Sequence, residues 1–171
     1  MPLVKNGEVV TDRFTAILDD APVPSEGAVL VTGERFIADA AELTARAGEI
    51  GVLWPNNKDV DALEPWLDKI ALVALVFPTF RDGRAYSQAR ILRERYKFHG
   101  ELRATGQVLR DQFVFLLRAG FDALAVKKDA DAAVYADVLK RYSVFYQPTG
   151  DGRVTALNRR MQLRHSESAG Q

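Results

Sequence analysis

Two arginines flank an Asp-Gly turn directly after an apolar run, and this group is the strongest candidate for chemistry in the chain. The run ALVALVFP at 71–78 is typical of a buried strand, and Asp82-Gly83 favours a tight turn before the next helix. The turn brings Arg81 and Arg84 to the end of a strand, beside backbone N–H groups of that helix. Guanidinium groups in such a place bind phosphate, sulfate or carboxylate. The competing interpretation is an Arg-Asp ion pair that holds the loop.

A third arginine lies inside a predicted strand. In GELRAT, at 100–105, side chains alternate between two faces, so Arg103 and Thr105 share one of them. A buried guanidinium needs an acid or an anionic ligand beside it, and Asp82 and Asp111 are the candidate partners. We therefore predict a set of anion-binding residues. Its members are Arg81, Arg84, Arg103 and Thr105.

Catalytic side chains are sparse. Asp82 and Asp111 are weak candidates for acid/base groups, and Lys127 for a Schiff-base nucleophile, each only if it is buried beside a suitable neighbour. The chain has no cysteine and two histidines, so thiol chemistry is excluded and we expect no dedicated metal site. His99 precedes a strand, at the end opposite to a ligand site, which argues against a Ser-His-Asp arrangement. Whether the chain is an enzyme stays open.

Charge is distributed unevenly along a chain whose formal net charge is zero. Residues 1–80 hold 6 basic and 13 acidic side chains, whereas residues 81–110 hold 8 and 3, a net charge of +5. The basic segment indicates an anionic ligand or an acidic partner protein, and the acidic first half disfavours nucleic acid. Helices of this segment carry the predicted partner-docking residues, with surface salt bridges as the alternative interpretation. They are Tyr86, Arg90, Arg93 and Arg110.

Alternating strand and helix patterns predict the fold. Asn6-Gly7 between β-prone residues predicts an N-terminal hairpin, and a helix pattern follows that stops at Gly48. From about residue 50 to 149 the pattern is β-α-β-α-β-α-β-α-β, which favours parallel strands with right-handed crossovers. Two α/β architectures fit, a half (β/α)-barrel and an open doubly wound sheet. Both place ligands at the carboxyl ends of the strands.

Later elements follow the same reasoning. Helix patterns occupy 85–96, with Ser87 as a candidate cap, and also 108–120 and 131–143. A last short strand is predicted at 144–149.

Domain limits and location also follow from these patterns. We predict one α/β domain over residues 1–158 and a polar, flexible tail over 159–171. A half-barrel leaves strand edges, which either the N-terminal segments or the second subunit of a homodimer must cover. The chain has no apolar run near the roughly 18 residues of a membrane span and no signal-peptide pattern. We therefore predict a cytoplasmic location without membrane contact.

Three runs of sequence carry a resemblance to a known family: FPTFRDGRAYSQARILRERY, GELRATGQVLRDQ and LLRAGFDA. They resemble the bacterial DUF934 family over about residues 50–127. Its members are described as probable oxidoreductases or accessory proteins of sulfite reduction, commonly encoded beside a sulfite reductase hemoprotein. The resemblance implies roles for the residues that match its motifs. They are Phe80, Asp82, Gly83, Arg84, Tyr86, Ser87, Arg90, Arg103, Gly106, Arg110, Asp111 and Gln112.

The resemblance implies a narrower chemistry than the word oxidoreductase suggests. Relatives often have a cysteine where this chain has Ala119, so no thiol-redox role is carried over. The chain has no thiolates for an iron–sulfur cluster, and a noncovalent flavin or NADPH stays open, with its phosphates at the basic strand ends.

Two functional hypotheses follow. The favoured one is an accessory protein of assimilatory sulfite reduction, which docks to sulfite reductase or to an acidic electron donor through a basic face. The alternative is a small anion- or phosphate-binding enzyme with its site at the strand ends, in one version a flavin- or NADPH-dependent oxidoreductase.

Overall fold

An eight-stranded sheet is the centre of the computed structural model, which describes residues 2–18, 20–127, 134–135, 137–138, 144–149 and 154–168. Its strands are β1 (Leu3–Lys5), β2 (Glu8–Val10), β3 (Thr15–Ile17), β4 (Val29–Thr32), β5 (Ile50–Trp54), β6 (Ile70–Phe77), β7 (Glu101–Gly106) and β8 (Ala123–Ala125). The order across the sheet is β2-β1-β8-β7-β6-β5-β4-β3. Strands β3 to β8 are parallel, whereas β1 is antiparallel to both of its neighbours.

The N-terminal hairpin forms as its turn residues predict. Asn6 and Gly7 adopt φ angles of 54° and 87°, the left-handed values that a type I′ turn requires at both central positions. This turn sets Leu3 opposite Val10. Because β1 also pairs with β8, the hairpin covers one edge of the parallel strands, as the sequence led us to expect for an added N-terminal segment.

The strand order decides between the two predicted architectures. Strands β3 to β8 are neighbours in chain order, without the reversal that a doubly wound sheet contains. Right-handed crossovers taken in one direction place every connecting helix on the same face of the sheet. These connections are α1 (Gly33–Ala45), the 3₁₀ segment Val60–Trp66, α2 (Arg84–Arg90) and α3 (Phe113–Arg118). The fold is therefore the predicted half (β/α)-barrel, with helices on its convex face.

Four residues, 11–14, connect β2 at one edge of the sheet to β3 at the other, and we call them the crossing link. Five Cα steps between these strands span at most about 18 Å, whereas eight strands laid flat measure about 34 Å from edge to edge. The sheet must therefore curl until its edges approach each other, and the crossing link lies across the concave face. There, Phe14 is buried against Leu72 and Ala74.

The convex face carries the main hydrophobic core. The apolar run of β6 is buried on both faces, as its composition predicts. Val73 and Leu75 pack under the helices in the same cluster as Phe36 of α1 and Leu116 of α3. Burial of each such large side chain contributes about 1.5–3 kcal/mol.

Two helical elements differ from their predicted form. α2 begins at Arg84, so Ser87 lies inside its first turn and the prediction that Ser87 caps the helix is wrong. The next five residues, Ile91–Arg95, widen into a π-helical turn, and the Tyr96 N–H donates to the Ile91 carbonyl at 3.1 Å.

The C-terminal part also differs from its prediction. Phe145 makes an isolated bridge with Thr155, so the predicted strand at 144–149 does not join the sheet. The helix α4 (Ala156–Ser168) occupies most of the region predicted as a polar tail. The helix predicted over 131–143 lies largely outside the described residues. Among the helices that are described, none has both the length and the apolar character needed to cross a membrane.

We predict that Gly106→Ala lowers the free energy of unfolding by roughly 3 kcal/mol, because left-handed backbone and a steric clash act together. Gly106 has a φ of 93°, and a Cβ there would lie 2.4 Å from the Phe77 carbonyl oxygen. Gly27→Ala is the matched control: its φ is 81°, but no atom lies within 4 Å of the added Cβ, so we expect a loss of about 1 kcal/mol. Urea unfolding measures both, and equal losses would contradict the clash.

Candidate functional site

The loops after β5, β6 and β7 form a rim, where a half-barrel presents its ligand sites. At this rim, Asp82 and Arg84 make the ion pair that was one of the two sequence interpretations. Arg84 donates to the Asp82 carboxylate from Nε at 2.9 Å and from Nη2 at 2.7 Å, and its backbone N–H donates at 3.3 Å. The pair stabilises the turn that leads into α2. Asp82 thereby occupies the Nε and Nη2 donors of Arg84.

A buried amide lies beside this ion pair. Asn56 follows β5 and is 7% exposed. Hydrogen bonds from Arg84 hold the pKa of Asp82 well below its usual range, against the opposing effect of burial, and the nearby Asn56 amide lowers the pKa further by a smaller amount. The Nδ2 atom of Asn56 nevertheless makes no hydrogen bond of normal geometry to any described residue. A polar group in this state is a place where a small ligand or a water molecule binds.

Neither candidate acid/base group has the environment that catalysis requires. Asp82 is held ionised by Arg84, and Asp111 is exposed on the 3₁₀ turn Arg110–Gln112. Asp111 acts on Tyr86: burial of this tyrosine and then the negative charge of Asp111 raise the pKa of Tyr86 to about 12. The phenol, which packs edge-on against Phe77 at 5.2 Å between ring centroids, is therefore a neutral hydrogen-bonding group. Lys127 is exposed at the end of the described part of that segment.

Arg103 lies on the concave face, away from the rim. Its Nη1 and Nη2 atoms donate to both carboxylate oxygens of Asp12 at 2.6 and 3.0 Å, and Nε donates to Glu101 at 3.0 Å. The sequence argument correctly predicted that a buried Arg103 has carboxylate partners. The predicted partners, Asp82 and Asp111, are wrong. Asp12 lies on the crossing link, 91 residues away in sequence, where no local pattern points to it.

The predicted anion-binding set is not brought together. Arg81 lies over the Phe80 ring, Arg84 is paired at the rim, and Arg103 is paired on the concave face that Thr105 shares. Anion binding by these residues stays a prediction, and the geometry assigns them to separate places rather than to one pocket.

The remaining charges of the basic segment are also distributed over the surface. Arg90 pairs with Glu94 one turn further along the chain, and Arg95 pairs with Asp61. Arg110 is exposed on its 3₁₀ turn. A net charge of +5 in sequence therefore does not become one basic patch.

Arg93, one of the predicted docking residues, has a structural role. Its Nε donates to the Gly120 carbonyl at 3.0 Å, and Nη1 donates to the carbonyls of Phe98 and Gly100. Its Nη2 donates to the Asp122 carboxylate, which in turn accepts from the Leu102 N–H. The guanidinium therefore joins the loops that precede β7 and β8, at the amino ends of the strands, and has few donors left for a partner.

A groove between α2 and α3 contains two of the predicted docking residues together with two that the sequence reasoning missed. It has a volume of about 420 Å³, and Tyr86 and Arg90 face Phe115 and Arg118 across it. Phe115 is 66% exposed. The missed signal is helical spacing: Phe113 and Leu116 are buried three residues apart, which turns Phe115 toward solvent.

Arg118 fixes the far wall of this groove. Its Nη2 donates to the Gln147 carbonyl and, at 3.1 Å, to the Thr149 hydroxyl, and its guanidinium lies 4.2 Å from the centre of the Phe145 ring. Residues 145–149 are thereby held against α3, and the groove is a preformed surface rather than a gap between unrelated segments.

A flavin or NADPH would need free hydrogen-bond donors at the rim for its phosphates. The Arg84 N–H, at the start of α2, donates to Asp82, and the Gln107 N–H, after β7, donates to the Phe77 carbonyl at 2.8 Å. These two backbone donors are therefore occupied, and we derive no reaction step through a phosphate-anchored cofactor. In the described ranges, His, Asp and Glu side chains do not gather in a group suited to a metal ion either.

Comparison with known protein families matches residues 51–157 to a family described as bacterial protein of unknown function (DUF934). The matched range is more than half of the chain and includes β6, β7, β8, the rim and the α2–α3 groove. It confirms the resemblance found in the sequence. No curated protein matches the chain.

We predict that Arg93→Lys lowers the free energy of unfolding by about 2–3 kcal/mol, because an ammonium group cannot reach the four acceptors that the guanidinium fork contacts. Arg90→Lys, on the same helical stretch, is the control and changes it by about 0.3 kcal/mol, since its pair with Glu94 is exposed. Chemical denaturation of both variants measures the difference. A small effect of Arg93→Lys would contradict the structural role and reopen Arg93 as a docking residue.

Proposed function

The chain belongs to the DUF934 family, and from that premise we propose that it is a cytoplasmic accessory protein of assimilatory sulfite reduction. It docks to sulfite reductase hemoprotein, or to that enzyme's acidic electron donor, through the groove between α2 and α3. The pathway follows from the family resemblance. The observation that supports the docking surface is the exposure of Phe115 between Arg90 and Arg118.

Phe115 has the properties of an interface anchor. Aromatic residues and arginines supply most of the binding energy in protein interfaces, and they do so when the partner removes them from water. Most of the Phe115 side chain is exposed to water, and this residue is not part of the hydrophobic core. An exposed phenylalanine between two arginines therefore supports a function in binding.

The charges at the groove favour an acidic partner. Arg90 is paired with Glu94 on the helix surface, where both side chains are substantially exposed. Exposed pairs of this spacing contribute about 0.3–0.5 kcal/mol, so a carboxylate of the partner displaces Glu94 at little cost. Arg118 is held in place by residues 147 and 149 and needs no reordering. Charge complementarity of this kind mainly accelerates association and makes it dependent on salt.

The chemistry of the rim supports an accessory role over catalysis. Among the residues described, the two carboxylates that were candidate catalysts are an ion-paired Asp82 and an exposed Asp111. The pKa of Asp82 is lowered, chiefly by its hydrogen bonds from Arg84, whereas a general acid or base near neutral pH needs a raised one.

A second candidate function is a small anion-binding enzyme with its site at the rim. One observation favours it, the buried Nδ2 donor of Asn56 beside Asp82 and Arg84. No comparable observation favours the flavin- or NADPH-dependent version of this enzyme. Thermal unfolding with sulfite or phosphate separates the candidates, since only a rim site gives a stabilisation that Asn56→Ala removes.

We predict that Phe115→Ala weakens binding to the partner about 10-fold or more, which corresponds to about 1.4 kcal/mol, because the anchor of the interface is removed. Ile37→Ala is the matched control: Ile37 is an apolar residue of α1 that is 47% exposed, on a helix outside the groove. Neither change should alter thermal unfolding appreciably.

The measurement uses immobilised full-length protein and extracts of the native cell at low ionic strength, followed by titration with the purified hemoprotein. Absorbance of the eluate identifies haem or flavin in the captured partner. Binding that Phe115→Ala leaves unchanged would place the interface elsewhere. Failure of the wild-type protein to capture either partner at low salt would refute the accessory function itself.

A further inference from the structure

Four charged side chains meet on the concave face of the half-barrel. Three belong to the sheet: Lys5 at the end of β1, and Glu101 and Arg103 on β7. Their formal charges add to +1. The fourth is Asp12, which the crossing link contributes from outside the sheet. Within this group the link supplies the carboxylate that pairs with the terminal nitrogens of Arg103.

The geometry at Arg103 is that of a carboxylate-binding site. Asp12 presents two oxygens to the two terminal nitrogens of the guanidinium, the bidentate arrangement that planar anions adopt with arginine. Glu101 occupies the Nε side and is shared with Lys5 at 3.1 Å. The Phe14 ring lies 5.7 Å from the guanidinium carbon. The site is thus built on the strands, and its occupant comes from a connecting segment.

Asp12 and Lys5 are the exposed members of this group, and the Lys5 side chain is 42% exposed. The Asp12 side chain is 37% exposed, whereas that of Arg103 is 4% exposed and that of Glu101 is 10% exposed. Asp12 lies on a connection without regular secondary structure, where it also accepts from the Phe14 N–H at 3.0 Å. The neighbouring Arg13 makes an exposed pair with Glu49 and lies over the Phe14 ring. Solvent therefore reaches the Arg103 site from the side of Asp12.

We propose that Arg103 is the centre of a binding site for a small planar carboxylate or similar oxyanion, and that Asp12 is its built-in occupant. An anion of this class competes with Asp12, and the crossing link loosens when the anion takes its place. The ligand carries one negative charge, because it takes the place of the single carboxylate of Asp12. This site is separate from the α2–α3 groove and does not depend on the function proposed for it.

Chemical rescue tests the site directly. Asp12→Ala removes the built-in carboxylate and leaves room for a free one, so the variant should unfold at a lower temperature than the wild type. Formate, compared with chloride at equal ionic strength, should then raise the Tm of Asp12→Ala in a saturable way, by about 3 °C more than chloride does. Sulfite and phosphate in the same assay show whether larger oxyanions fit.

Asp82→Ala is the matched control, because it removes the carboxylate of another bidentate arginine pair. The arginine of that pair, Arg84, is 58% exposed, whereas Arg103 is 4% exposed, so water already solvates the Arg84 guanidinium and formate should not rescue this variant. If Asp12→Ala does not fold in chloride, its refolding yield in formate replaces the Tm as the readout. Equal Tm or equal yield in formate and chloride overturns the proposal, and so does equal rescue of Asp82→Ala.

The wild-type protein provides a second test. Arg13 lies in the crossing link and is exposed, so trypsin cleaves after it when the link loosens. The proposal requires formate to accelerate this cleavage over equal chloride, while cleavage elsewhere in the chain stays unchanged. An unaltered rate after Arg13 shows that no anion competes with Asp12 in the intact protein and overturns the displacement part of the proposal.

Discussion

The length of one connection constrains the whole sheet. Four residues join strands at its opposite edges, and they span about half the width that eight flat strands would have. Curvature is therefore obligatory, and it creates an enclosed concave face that the same four residues cross. Phe14 fills part of that face, and Asp12 neutralises the guanidinium that β7 places there. A buried arginine is tolerated because the element that encloses it also carries its counter-charge.

On the convex face of the sheet, the arrangement depends on the order of the strands. Because the strands are in chain order, every connecting helix packs on the convex face, and α2 and α3 become neighbours. Their buried sides complete the core, and their outer sides form the groove that contains Phe115 and Arg118. The two faces of the sheet thus carry different features: the helix side has the groove between α2 and α3, and the concave face contains a group of charged side chains that Asp12 completes.

Much of the architecture was predictable because the relevant signals are local. The Asn-Gly turn, the apolar run of β6 and the alternation of strands and helices follow from backbone sterics and periodicity over a few residues. For the site, the sequence correctly indicated that Arg103 needs an acid and that Asp82 could hold Arg84. It misidentified the acid for Arg103, and it overlooked Phe115, because both depend on which surfaces meet after folding.

The sequence gives the number of charged side chains in each segment, but it does not give their positions in the folded protein. The chain by itself determined the order of its elements, its parallel strands and an excess of five positive charges between residues 81 and 110. The tertiary structure decided that these charges do not form one patch: Arg93 joins two loops, Arg103 turns to the concave face, and Arg84 and Arg90 have carboxylates beside them. The physical reason is that a side chain's direction and its counter-charge depend on the face of the sheet or helix that carries it. Contacts between residues as distant as Asp12 and Arg103 exist only once the sheet has curled.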